Sequence, residues 1–196
     1  MTESDTAPLT VAILAGGSSR RMGRDKSLLP LAGQPLLARV IERCAQLQVE
    51  MFLVTNQPTV HQQFGLPMVG DALPGAGALG GLYTALLHSP APDVLCVACD
   101  MPYLNPSLLS ALAQQRSGVD GVVPVISGQP EPLHAVYNRA CLPAIRAQIA
   151  AGDLQITSFY DQVRLRYIDE SWVRQWDPEL RSFVNLNTPA DLDAAT

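Results

Sequence analysis

Lysine is nearly absent from this chain: Lys26 is the only one in 196 residues, against twelve arginines. Arginine therefore supplies the general surface charge. The one retained lysine marks a position suited to a compact, mobile ammonium and not to a rigid guanidinium fork. Charged residues are sparse at 16% while hydrophobic residues reach 47%, which excludes a disordered chain and describes a compact globule. No stretch approaches 18 uninterrupted apolar residues, so no membrane-spanning helix and no membrane partner are expected. With a net charge of −5, and with its basic residues concentrated locally, the chain lacks the broad basic face a nucleic-acid partner would need. The four cysteines, Cys44, Cys96, Cys99 and Cys141, are too few and scattered for a disulfide framework. Cys96 and Cys99 do form a CxxC, but inside the apolar run VLCVAC their offset of three puts them on opposite faces of a strand, where they cannot easily share a metal.

Against this background one loop stands out. Residues 14–26 read LAGGSSRRMGRDK and follow the apolar run LTVAIL. Gly16, Gly17 and Gly23 would allow positive φ and close backbone approach to a ligand, and successive amides in such a turn form an anion-binding nest. Arg20, Arg21, Arg24 and Lys26 against Asp25 leave a local charge of +3 in an acidic protein. A polyphosphate is the natural ligand for that island. The spacing is not that of a Walker A loop, since no Gly stands directly before Lys26, nor is it GxGxxG.

The remaining pattern alternates strands and helices. Strands are expected at residues 9–14, 49–55, 67–69, 93–99, 119–125, 131–137 and 163–168, and helices near 35–47, 59–64, 79–88, 106–115, 139–150 and 155–160. Continuous apolar runs at 9–14 and 93–99 suit central parallel strands covered on both faces, whereas 131–137 and 163–168 alternate. Arg164 and Arg166 fall on one face of the last strand and read as solvated charge. This pattern predicts an α/β fold, a three-layer αβα sandwich with a mostly parallel sheet and a site at the carboxyl ends of its strands. Residues 1–8, MTESDTAP, read as a flexible polar tail before a single domain at 9–196. Their acidic character is unlike the basic start of a signal peptide, so a cytoplasmic location is expected.

Two aspartates lie where strands leave the sheet. Asp100 directly follows the run DVLCVAC, in the crevice where open α/β folds bind ligands, and its carboxylate is a hard oxygen ligand suited to Mg²⁺. Asn105 before Pro106 fits the cap of the next helix, so Asp100 is not needed there. Asp71 follows a short strand, and the segment after it holds a literal GxGxxG at Gly75, Gly77 and Gly80. A dinucleotide fingerprint would place its first glycine at the strand tip, so a loop feeding a helix is the better reading. His88 at that helix end and His134 on its strand read as capping and packed histidines. Near the carboxyl terminus FVNLN precedes TPADL, in which Thr188 and Pro189 open a helix; Asn185 and Asn187 need another explanation.

LAGGSSRRMGRDK, VACDMPY, EPLHAVY and FVNLNTPADL together resemble the molybdenum cofactor guanylyltransferases, over nearly the whole chain from Leu9. The resemblance implies a Rossmann-like nucleotidyltransferase fold and transfer of GMP from GTP to molybdopterin, with release of pyrophosphate. It implies that Leu14, Ala15, Gly16 and Gly17 contact the nucleotide and Lys26 its phosphates, with Arg20 and Arg21 beside them. Asn56 and Asp71 would bind the nucleoside, Asp100 both nucleotide and Mg²⁺, and Asn185 and Asn187 the acceptor or the metal shell. Cofactor-delivery proteins are implied partners, and the expected state is a monomer or weak oligomer. Where the family usually has GPLxG after Asp71, this chain has PGAGALGGL. A cytidylyltransferase acting on the same acceptor would share every phosphate and metal residue. A sugar-phosphate nucleotidyltransferase or a non-catalytic nucleotide- or cofactor-binding module are the more distant alternatives.

Overall fold

A computed structural model describes residues 8–16, 26–186 and 191. The chain begins with β1 (Leu9–Leu14), and a tight hairpin of β2 (Pro30–Leu31) and β3 (Gln34–Pro35) leads into α1 (Leu36–Ala45). Then come β4 (Met51–Val54), α2 (Pro58–His61), β5 (Met68–Val69), α3 (Gly77–His88) and β6 (Asp93–Ala98). The second half holds α4 (Pro106–Gln114), β7 (Gly121–Ile126), β8 (Gln129–Pro130), β9 (His134–Asn138), α5 (Leu142–Ala151), β10 (Leu165–Ile168) and α6 (Glu170–Val173).

The sheet order is β10-β7-β9-β6-β1-β4-β5, with β8 paired to β7 as a hairpin off that path. Pairing is parallel between β1 and β4, β1 and β6, β4 and β5, and β7 and β10. Only β9 within the path runs the other way, antiparallel to both β6 and β7. The chain winds outward from β1 to β4 and β5, then returns through α3 to place β6 on the other side of β1. Strand order therefore reverses between β1 and β6, and such a reversal opens a crevice at the strands' carboxyl ends.

Alternate side chains of the central strands feed two separate cores. Val11 and Ile13 of β1 join Leu37, Val40, Leu108 and Leu112 on one face. Ala12 and Leu14 join Leu79, Leu82, Leu86 and Ile145 on the other. Helices α1 and α4 thus cover one face and α3 and α5 the other, the three layers expected from the sequence. Cys96 belongs to the second core and Cys99 packs against the first, so the CxxC cysteines do diverge. Burial pushes the Cys44 and Cys141 thiols up to about 12, as suits inert core groups.

Several local expectations change. β9 does not alternate in burial: four of its five residues are buried, because β6 and β7 flank it and helices cover both faces. Residues 155–160 form turns followed by a 3₁₀ turn at Tyr160–Gln162, not a helix. Arg164 is exposed, as expected of solvated charge, and also pairs with Asp120 at 3.1 Å, whereas Arg166 is half-buried and donates to the Gln115 carbonyl at the end of α4. The expected cap at Asn105 is present, its side chain accepting from the amides of Ser107 and Leu108.

Candidate active site

The crevice is bounded by the ends of β1 and β6. Ala15 donates its amide to the Val54 carbonyl at 2.9 Å, and the Cys99 amide donates to the Leu14 carbonyl at 3.2 Å, so β1 is held on both sides as it leaves the sheet. Leu14 and Ala15 are buried, Gly16 is exposed. Gly16 does not take positive φ, and among the described residues an added Cβ there would meet nothing nearer than the Val54 carbonyl oxygen at 3.9 Å. The backbone freedom expected at this position is thus not used. Gly17, Gly23, Arg20, Arg21 and Arg24 lie outside the described residues.

Across the crevice, Asp100 follows β6 by two residues and is partly buried. Burial raises its carboxyl above the ordinary range, while its own backbone amide and the charge of Lys26 pull it back down. Lys26 therefore sits within electrostatic reach of Asp100, although 74 residues separate them in the chain. Lys26 opens a 3₁₀ turn, Lys26–Leu28, that runs straight into the β2–β3 hairpin. Ala32 and Gly33 make that hairpin's two-residue turn with φ of 49° and 83°, the doubly left-handed form that a two-residue hairpin favours.

The FVNLN segment closes the same end of the site. Leu186 donates its amide to the Asp100 carbonyl at 3.0 Å, and its side chain packs with Leu31 and Leu36 beside Leu29 and Tyr103. One leucine thus ties the Asp100 loop to the hairpin that follows the Lys26 turn. Asn185, immediately before it, is exposed and only loosely engaged by the Phe183 carbonyl at 3.5 Å. Asn187 lies outside the described residues.

On the far side of β1, Asn56 and Asp71 leave the ends of β4 and β5 and bind each other. Asn56 Nδ2 donates to Asp71 Oδ2 at 2.7 Å, and the Asp71 amide donates to Asn56 Oδ1 at 2.9 Å. Downstream, the Ala72 amide donates to Thr84 Oγ1 on α3, which fixes the loop after Asp71 to the helix it feeds.

Residues 11–166 match the MobA-like NTP transferase domain. The chain belongs to that family. It is 35% identical to a probable molybdenum cofactor guanylyltransferase of Pelotomaculum thermopropionicum, covering 93% of this chain and 89% of that one. Identity is 38% with the corresponding protein of Chloroflexus aggregans, over 92% and 89%. Among solved structures, molybdopterin-guanine dinucleotide biosynthesis protein A from Archaeoglobus fulgidus superposes with a TM-score of 0.82 at 29% identity, covering 95% of this chain and 96% of that one.

In this MobA-like chain the GxGxxG stretch serves packing. Gly75 and Gly77 take positive φ in the turn into α3. At Gly80 a Cβ would lie 2.8 Å from Ala76 Cβ and 3.1 Å from the Leu73 carbonyl, and at Gly81 3.0 Å from Leu14 Cδ2. These glycines let α3 press against its own entry loop and against β1.

Sequence reasoning did not single out the third histidine, His61. Its ring bridges Ser27 Oγ and Thr55 Oγ1 at 2.8 and 2.7 Å, in full burial. His134, read as a packed histidine, is fully buried and lies 4.5 Å from the Phe183 ring, centroid to centroid. Neither of its nitrogens makes a hydrogen bond of good geometry among the described residues, although the Ser182 backbone approaches the ring. Burial lowers it to about 4, opposed only in part by the Asp177 carboxylate and the Ser182 backbone. Among the described residues no three His, Cys, Asp or Glu side chains converge as a ready-made metal cage.

Proposed function

We propose that this chain transfers GMP from GTP to molybdopterin, forming the guanine dinucleotide cofactor and releasing pyrophosphate. The observation that carries the reading is that Lys26 lies within electrostatic reach of Asp100 beside the β1–β6 crevice, in a chain matched nearly end to end by relatives named for this activity. In the reaction, an oxygen of the acceptor's terminal phosphate forms a bond to the α-phosphorus of GTP while the bond from that phosphorus to the β-phosphate bridging oxygen breaks. The electron pair leaves with pyrophosphate. The attacking phosphate is already ionised near neutral pH, so no strong general base is required, and the protein's work is alignment and charge neutralisation.

In this reading the residues divide that work. Leu14, Ala15, Gly16 and Gly17 border the nucleotide, and Lys26, with Arg20 and Arg21, takes up charge developing on the leaving pyrophosphate. Asn56 and Asp71 would hold the nucleoside part, and Asn185 and Asn187 would serve the acceptor or the metal shell. Mg²⁺ suits the donor set: one partly buried carboxylate whose charged form burial disfavours, next to a phosphate ligand, is how that ion is commonly held. Asp100 would hold it, and its chemistry there is neutralisation of nucleotide phosphate oxygens.

Among the described residues no helix is long and apolar enough to cross a membrane. The proposal is tested by incubating the protein with GTP, Mg²⁺ and molybdopterin and following the acceptor by mass spectrometry. A product heavier by one GMP is expected; unchanged acceptor in the presence of folded protein would refute it.

A further inference from the structure

We infer that His61 is a positioning residue for Lys26, fixing the turn that carries the lysine to the strand ends that carry Asn56 and Asp71. The inference rests on the reading of Lys26 as the phosphate-binding cation. Its basis is a run of three buried side chains. Ser27, the residue after Lys26, is fully buried, and its Oγ lies 2.8 Å from His61 Nε2. On the other side of the ring Nδ1 lies 2.7 Å from Oγ1 of Thr55, the residue before Asn56. Thr55 is itself anchored twice, its Oγ1 accepting from the Gln57 amide at 3.0 Å and its amide donating to the Val69 carbonyl at 2.8 Å. The line runs from the Lys26 turn, through α2, to the carboxyl ends of β4 and β5.

A serine against a histidine also invites a nucleophilic reading, and the geometry rejects it. Ser27 and His61 are both 0% exposed, and the group behind the imidazole is a hydroxyl, which cannot stabilise an imidazolium as a carboxylate does. A neutral imidazole has one donor and one acceptor, and each hydroxyl can rotate to complement it, so the bridge is satisfied in either tautomer. Such a bridge holds its two ends at a set separation. A lysine side chain is a long, flexible stem, so the place its ammonium can reach depends on how firmly its own turn is fixed. Misplacing a charge-neutralising group by about 1 Å can cost roughly a hundredfold.

Because Lys26 is the sole lysine, it can be observed directly. Reductive ¹³C-methylation keeps its charge and labels only Lys26 and the terminal amine, and inorganic pyrophosphate is then titrated while the Lys26 methyl resonance is followed. In the wild type that resonance is expected to shift and saturate. In Ser27→Ala and Thr55→Val, which change volume little, half-saturation should need roughly tenfold more pyrophosphate, while Thr55→Ser, which keeps the hydroxyl, should titrate as wild type. His61→Phe should behave like Ser27→Ala; if it fails to fold, the other three variants carry the comparison. Melting temperatures are recorded alongside, since a structural role alone would lower them without changing the titration. Ser27→Ala and Thr55→Val titrating as wild type would overturn the role of His61 while leaving that of Lys26 intact. A wild-type resonance indifferent to pyrophosphate would overturn the phosphate role of Lys26 and the inference with it.

Discussion

Asn56 and Asp71 hold each other by two hydrogen bonds across the ends of neighbouring strands, side chain to side chain at 2.7 Å and amide to side chain at 2.9 Å. Under the proposed function, this pair shapes the nucleoside side of the crevice before any ligand arrives. Asn56→Ala removes both bonds but leaves Asp71 within reach of water, so stability should fall by only about 1 kcal/mol. The main effect should be on nucleotide binding: a rise in the KM for GTP of roughly tenfold with kcat changed by less than about threefold. Steady-state kinetics with GTP varied at saturating acceptor checks this.

Lys26 has no substitute of its kind in the chain. Lys26→Ala should lower kcat/KM on the order of a hundredfold or more, the cost of removing one preorganised charge-stabilising donor. Lys26→Arg should recover only part of that, because a rigid fork does not follow a phosphate as an ammonium does. A loss in Lys26→Ala of less than about threefold would remove the residue from the reaction.

Asp100→Asn should separate activity from stability. The nearly isosteric amide should abolish Mg²⁺-dependent turnover. The same change should raise the melting temperature at neutral pH, since burial makes the carboxylate's charged form unfavourable in the folded protein. The sign follows from proton binding: with its folded value raised, the folded state holds more protons between the ordinary carboxylate range and that raised value, so this group's contribution weakens as pH rises through the window. The stabilising effect of Asp100→Asn should therefore be largest above the window and vanish below it. Thermal melts of the two proteins across the acid range test this.

His134 predicts the opposite sign. Its folded value of about 4 lies below the ordinary 6.5, so the unfolded chain takes up the proton first and stability is lost as pH falls from 6.5 toward 4. At about 1.4 kcal/mol per unit, the loss is on the order of 3 kcal/mol. His134→Phe, which keeps an aromatic ring against Phe183, should flatten that part of the stability–pH curve. Urea melts at intervals between pH 7 and 4 compare the two.

Much of the layered fold was legible because its central strands are apolar on both faces. LTVAIL and DVLCVA announce buried parallel strands, and the residues that follow each of them bound the crevice. The β2–β3 hairpin was not foreseen, because two-residue strands holding Pro30 and Pro35 carry no periodic signal. The strand at 131–137 was expected to alternate, but strand pairing begins only at His134, and flanking strands with helices on both faces bury four of its five residues, which no local pattern reveals. Among the candidate site residues, Leu14 to Gly16, Asp71 and Asp100 could be singled out from their places at or after strand ends. The Ser27–His61–Thr55 line could not, since its ends lie 34 and 6 residues from the histidine and no local spacing connects them.

The most direct measurement is pyrophosphate release by the purified protein with Mg²⁺ and molybdopterin, comparing GTP, CTP and ATP, each with and without the acceptor. The account predicts release that depends on the acceptor and is fastest with GTP. A preference for CTP would contradict the guanylyl assignment while keeping the site, and no acceptor-dependent release with any of the three nucleotides would contradict the transfer reaction itself.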